Sequence, residues 1–420
     1  MSPVALRRLL AGVATLAVVG SQVGLLASAA PAQDAPPATP VPPSGSLSPF
    51  PSVLRTPADP SVPPDVSARS AVLADLDSGA LLYRRAADTP RPIASLTKVM
   101  TALIVLERTE LDEVVRVDPR AVFEPDAYGA SSTLGLRPGE RIKVRDLLYA
   151  LLLGSANDAA LALAIHVSGS VDAFVDAMNL RAAKLGMRST RFYSPSGLDD
   201  RGRSTARDLL ILVRAAGAIP TFSRITATRF HTIPAPTGPP RHIQNRNALL
   251  WLYPGSFGTK TGTTFRAGPC VIASADRDGR QLVAIVLHAE REPFSDAAAL
   301  LQYGFEGFER RVLVTEGEGL GSIDIRGGGV PVVAGEGLSA LVPVRSELKE
   351  RVRVDPSAAF PPVPGQTVAT LTISGAGVDV GSVPLLVAWV PPPVPEGSPW
   401  WARAAASVAR AATAALHALS

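Results

Sequence analysis

An α+β (mixed α/β) domain followed by a small all-β domain is the fold this sequence predicts. Three observations carry that expectation. Strand-like runs sit near both ends of a globular stretch, long apolar helical runs fill its middle, and short β-rich segments broken by glycine and proline follow it.

Taken in chain order, the run 71–83 reads as two short apolar strands around Asp77-Ser78-Gly79, a hairpin turn. An apolar helix is expected over 99–107. Two further helical runs, 146–153 and 158–167, are interrupted by Gly154-Ser155-Ala156-Asn157. The run 171–185 is amphipathic, with Phe174, Met178 and Ala182 on one face. Strands at 270–273 and 282–287 and a helix near 296–303 complete a domain spanning 68–309. A second domain, 310–392, is read from β-rich runs at 312–314, 339–344, 352–354, 367–373 and 383–390, a sandwich-like pattern.

The ends of the chain differ in kind. Arg7-Arg8, an apolar stretch over 9–26 and the small residues Ala27-Ser28-Ala29 read as a secretory signal peptide, 1–29. An uncleaved membrane anchor is the rival reading, and either one exports the rest. Proline-dense 30–67 has no apolar periodicity and suits an extended linker. An alanine-rich amphipathic helix is expected over 396–420. Trp400, Trp401, Arg403 and Arg410 suit an in-plane helix on an anionic membrane surface; packing on the β-rich domain is the alternative.

Composition excludes several classes of function. A single cysteine, Cys270, rules out an intramolecular disulfide framework and reads as a small core residue. His166, His231, His242, His288 and His417 show no metal-ligand spacing, so a zinc peptidase is poorly supported and no cofactor is expected. There is no glycine-rich phosphate loop and no aromatic-basic stripe, so no nucleic-acid partner is expected. The net charge of +4 is mild.

Three short motifs carry the chemistry: Ser95-Leu96-Thr97-Lys98, Ser155-Ala156-Asn157 and Lys260-Thr261-Gly262. Ser95 and Lys98 share a helix face, so the amine can reach the hydroxyl. A serine hydroxyl needs an adjacent base to act as a nucleophile, and a buried lysine can lose its proton where arginine cannot. Only five of the 41 basic residues are lysines, and two of them stand in these motifs. Taken alone, Ser95 is an N-cap and Ser155-Ala156-Asn157 a helix break; another S-x-x-K at Ser346 shows how common that pattern is. Polar Ser155 and Asn157 in an apolar region need partners: Ser155 in a proton relay with Lys98, the Asn157 amide toward a substrate carbonyl. Lys260 and Thr261 suit a terminal carboxylate, and Gly262 keeps a strand open to a ligand's backbone.

The ordered set resembles the penicillin-recognising D-alanyl-D-alanine carboxypeptidases of low molecular mass. Leu152-Leu153-Gly154, Ser196-Gly197-Leu198-Asp199, Ser204-Thr205-Ala206-Arg207-Asp208 and Asn245-Arg246-Asn247 extend the resemblance over about 70–300. It implies a β-lactamase-like catalytic domain with an antiparallel sheet and a helical subdomain. It also implies a peptidoglycan stem peptide as substrate, β-lactams as inhibitors, and acylation of Ser95. Its oxyanion hole would be the backbone N–H groups of Ser95 and Thr263, and Arg291 is a candidate carboxylate ligand. A DD-endopeptidase shares all three motifs and is one alternative. A β-lactamase is another, although it would want S-D-N where this chain has Ser155-Ala156-Asn157 and an E-x-x-L-N segment that is not found. A non-catalytic β-lactam or peptidoglycan sensor is the third.

Overall fold

The computed structural model describes residues 62–122, 132–234, 238–326, 328–345, 347–375, 378–388 and 399–400. The chain divides into two units, 1–49 and 50–420, and all described residues belong to the second. The expected signal peptide, nearly all of the linker, Ser346 and all of the tail helix but residues 399–400 lie outside the described residues.

The first domain is built on a five-stranded antiparallel sheet. Its strands are β1 (Ala68–Asp75), β2 (Leu81–Arg85), β3 (Ser256–Thr264), β4 (Gly268–Arg277) and β5 (Arg280–Ala289), in the order β2-β1-β5-β4-β3. The hairpin expected around Asp77-Ser78-Gly79 forms, and the Asp75 carboxylate accepts from Ser78 N–H to hold its turn. Between β2 and β3 the chain makes five longer helices: α1 (Lys98–Arg108), α2 (Val144–Leu152), α3 (Asn157–Ser168), α4 (Val171–Leu185) and α5 (Ala206–Gly217). A sixth, α6 (Pro293–Gly307), follows β5.

Strand alternation explains how one sheet serves two cores. Val283, Ile285 and Leu287 of β5 face the helical side with Val99, Leu103 and Leu163. Leu282, Ala284 and Val286 face the other side, against Leu300 and Leu301 of α6. A strand buried on both faces reads as a near-continuous apolar run, as β5 does. Helix α4 buries Phe174, Met178 and Ala182, the face its periodicity predicts, and Ser170 caps it by accepting from Ala173 N–H.

Seven more strands follow: β6 (Phe308–Val314), β7 (Gly319–Ile325), β8 (Gly328–Ala334), β9 (Leu338–Pro343), β10 (Leu348–Val354), β11 (Thr367–Gly375) and β12 (Val378–Val387). They form a sheet of order β7-β8-β12-β11-β10 and a separate β6-β9 pair. Val314, Val332, Val368, Leu371, Val383 and Leu385 bury each other as a core of their own. The sequence reading omitted β7 and β8. Four glycines lie in or at the ends of these two strands and dilute the alternation that marks a strand. Among the described residues no single helix is long and apolar enough to cross a membrane.

Phe174 is fully buried where α4 meets the helical core. Phe174→Ala is expected to lower the unfolding free energy by about 3–5 kcal/mol, read from the shift of a urea denaturation midpoint.

Candidate active site

Ser95 lies in a single 3-10 turn, Ala94–Thr97, that runs directly into α1, so Lys98 is the first α-helical residue. Ala94 adopts φ +47, a left-handed conformation that costs a non-glycine residue roughly 1–2 kcal/mol. Such strain persists only where the surroundings hold it, and here it turns Ser95 out of the helix start. The Lys98 side chain is wholly buried. Its Nζ lies 2.9 Å from Ser95 Oγ and donates to Asn157 Oδ1 and to the Ser196 carbonyl, both at 2.7 Å. A neutral amine has two N–H bonds and one lone pair. The two carbonyl oxygens take the N–H bonds and leave the lone pair directed at the Ser95 hydroxyl.

The second motif sits where the helical reading broke off. The chain leaves α2 at Leu152 and re-enters a helix at Asn157. Ser155, and not Gly154, takes the left-handed conformation there, at φ +59. It is buried, but no hydrogen bond joins it to Lys98; Asn157 fills that place through its side-chain oxygen. The loop is fixed from behind. Asn157 N–H donates to the Ser132 carbonyl at 2.8 Å, and the buried Asp158 carboxylate accepts from Leu134, Gly135 and Leu136 N–H at 2.9, 2.9 and 3.0 Å.

Lys260-Thr261-Gly262 lies on β3, the edge strand of the sheet. Thr263 pairs with Pro269, which has no N–H to give. That pair therefore exchanges no ladder bonds, and the Thr263 N–H points off the open edge. Parity puts the Thr261 carbonyl on the same edge, where it accepts from Lys260 Nζ at 2.9 Å. Gly262 faces the nucleophile closely. A Cβ on it would come within 2.9 Å of Ser95 N and 3.1 Å of Leu96 N. The Ser95 and Thr263 amides thus border one gap beside Ser95 Oγ. Gly197, at φ +78, closes the opposite wall, and a Cβ there would stand 2.0 Å from the Ala94 carbonyl oxygen.

Both motif lysines are electrostatically unusual. Burial pushes Lys98 well below the ordinary lysine range; the Lys260 and Arg246 charges push the same way, and Asp158 opposes them. Lys260 is pushed down to about 7, by burial first and then by Arg246. Arg246 has no ion pair among the described residues, and its own backbone N–H is tied to the Leu153 carbonyl. Arg291 does not reach this group. It lies on the turn after β5, where its N–H donates to Ser67 Oγ, and among the described residues its side chain makes no hydrogen bond or ion pair with the motif residues. The guanidinium that acts on the site is Arg246, because the hairpin of strands Phe230–Ile233 and Arg241–Gln244 folds back over the second motif. Sequence reading gave no role to Arg246 or to the Ser196 carbonyl. Their only signal was the polar segments Asn245-Arg246-Asn247 and Ser196-Gly197-Leu198-Asp199.

A family model described as D-alanyl-D-alanine carboxypeptidase matches residues 57–291, more than half of the chain. The chain belongs to this carboxypeptidase family. It is 40% identical over 254 residues to the D-alanyl-D-alanine carboxypeptidase DacB2 of Mycobacterium tuberculosis, covering 58% of this chain and 85% of that protein. It is 34% identical over 347 residues to DacC of Escherichia coli, covering 77% and 84%. Penicillin binding protein 5 from Haemophilus influenzae superposes with a TM-score of 0.64 at 29% identity, over 78% of this chain and 98% of that one. These longer matches cover more of the chain than the family model does.

The two lysines give this carboxypeptidase-family site a defined pH response. Lys98 must be neutral to accept a proton, so kcat/KM is expected to fall as pH drops through its lowered pKa. Lys260 must be charged to hold a carboxylate, so kcat/KM is also expected to fall as pH rises through about 7. Lys260→Arg keeps the charge and should remove the alkaline limb while leaving the acid limb in place. A pH profile of kcat/KM for both proteins checks this, and an unchanged alkaline limb in the variant would reject the assignment.

Proposed function

We propose that this chain is a serine-type D-Ala-D-Ala carboxypeptidase that removes the terminal D-Ala from peptidoglycan stem pentapeptides and is acylated by penicillins. The observation that carries the reading is the Lys98 amine, buried and held between Asn157 Oδ1, the Ser196 carbonyl and Ser95 Oγ. Lys98 takes the hydroxyl proton as Ser95 attacks the penultimate D-Ala carbonyl. The Ser95 and Thr263 N–H groups receive the developing oxyanion. Asn157 Nδ2 remains for a substrate carbonyl, and Lys260, Thr261 and Arg246 take the terminal carboxylate. Ser155 is the proposed relay by which the proton reaches the leaving amine. It makes no direct contact with Lys98, so this step runs across the bound substrate or a water. Water then releases the trimmed peptide from the Ser95 ester.

A labelled penicillin is expected to attach to the wild type, and Ser95→Ala to abolish labelling while circular dichroism stays unchanged. Lys98→Arg should lower the acylation rate by about 100- to 10,000-fold through loss of the base. Labelling that survives in Ser95→Ala would sink the reading.

On the same reading the enzyme is exported, a proposal supported by Arg7-Arg8 and the apolar stretch over 9–26. The tail at 396–420 then holds it at the outer face of the cytoplasmic membrane, supported by Trp400 and Trp401 beside Arg403 and Arg410. Alanine buries little area, so the attachment is weak. Removing residues after Glu396 is expected to shift active enzyme into the soluble fraction, as measured by vesicle co-sedimentation. Unchanged sedimentation counts against the anchor.

A further inference from the structure

Arg246 sits where like charges converge, on a segment held by little apolar packing. Its charge acts on Lys260 of β3 and on Lys98 of α1, and Asp158 of α3 is the acidic group that acts on Lys98 in return. Two cations in reach of one another repel, so the guanidinium stays there only where its backbone is fixed. That backbone leaves the hairpin of strands Phe230–Ile233 and Arg241–Gln244, which pairs with no other strand. Of the residues in these two strands only Ile233 and Ile243 are buried.

Two polar latches fasten the hairpin instead. Arg241, at the start of its second strand, donates to both Glu140 oxygens, at 2.6 and 2.9 Å, and to the Gly135 carbonyl at 3.2 Å. Burial pushes the Glu140 carboxyl up, but the bonds from Arg241 and from Arg137 N–H outweigh it and hold the group below its ordinary range. Along the first strand, His231 Nε2 lies 2.9 Å from Asp146 Oδ1, where the carboxylate accepts, and the imidazole stacks on Tyr149 with 3.8 Å between ring centroids. Side-chain exposure is 23% and 18% in the first pair and 21% and 16% in the second, so water screens both far less than a surface pair.

The latches close on elements that already serve the site. Asp146 and Tyr149 lie on α2, which runs into the second motif, and Asp158 holds the loop at 134–136 just before Glu140. From the hairpin the chain passes to Asn245, whose Nδ2 donates to the Thr226 and Thr228 carbonyls at 3.0 Å, and then to Arg246.

We propose that Glu140 and Asp146 are positioning residues for the carboxylate clamp: through Arg241 and His231 they latch the hairpin to the 134–140 loop and α2, and so keep Arg246 in reach of Lys260 and of a substrate carboxylate. This rests on the carboxypeptidase reading, which gives Lys260 and Arg246 their ligand. Among the described residues neither carboxylate bonds a motif residue, so both act through the hairpin.

The test compares the wild type with the Glu140→Ala/Asp146→Ala double variant on an N-acetylated tripeptide ending in D-Ala-D-Ala. KM is expected to rise about tenfold, the loss of one charged hydrogen bond to the carboxylate, with kcat changed by less than about twofold. Withdrawing the Arg246 charge relieves Lys260, whose pKa of about 7 then rises, so the alkaline limb of kcat/KM should move to higher pH. In an Arg246→Gln background the same double substitution should move neither KM nor the limb, because the latches act through that guanidinium. Unchanged KM and limb in the double variant, or an equal effect without Arg246, overturns the proposal. Where circular dichroism shows the double variant unfolded, Arg241→Gln carries the same comparisons. If the wild type does not hydrolyse the peptide, the functional reading itself fails and amide hydrogen exchange decides the latches. Exchange at Asn245 and Arg246 that is about tenfold faster in the double variant, with α1 unchanged, supports them, and equal exchange rejects them.

Discussion

A lysine amine kept out of water is the constraint around which the catalytic domain is arranged. Lys98 is fully buried, and an ammonium there would cost several kcal/mol without a full set of partners. The fold supplies two carbonyl oxygens and one hydroxyl, the complement of a neutral amine. Each partner comes from a different segment: the turn before α1, the start of α3, and the loop at Ser196. The packing of the helical side brings those three segments together on one nitrogen.

Much of the surrounding structure serves that convergence. Asp158 holds the loop at 134–136 through three backbone N–H groups, which sets the start of α3 and with it Asn157. Thr101 Oγ1 donates to the Pro195 carbonyl at 2.7 Å and fixes the segment that presents Ser196. Gly197 and Gly262 allow backbone approaches that any side chain would block. The strained conformations at Ala94 and Ser155 fall at the edges of the same gap, where packing on both sides holds them in place.

Lys260 plays an opposite part with the same side chain. It is also buried, yet its partner is the Thr261 carbonyl and the charge acting on it is that of Arg246, which has no ion pair among the described residues. Burial pushes both lysines towards the neutral form, and the Arg246 charge adds to that at each of them.

The sequence by itself marked the residues that the fold gathers in one place. Ser95, Lys98, Asn157, Lys260 and Gly262 were legible because chemistry restricts residue type, and short local spacing keeps each motif intact. Long elements with strong periodicity were legible for a similar reason: Phe174, Met178 and Ala182 recur at a helical period because one face of α4 must be dry. The tertiary structure alone decided which distant groups complete the site. The Arg246 charge acts on both lysines, because a hairpin folds over the second motif, while the turn that carries Arg291 runs towards Ser67. It also decided that Asn157, with Ser155 set back, bonds the Lys98 amine, and that the Thr263 N–H faces the cleft opposite a proline. Local sequence carries the preferences of a few neighbouring residues. Convergence of segments a hundred residues apart is set by how the sheet and helices pack, and no local pattern records it.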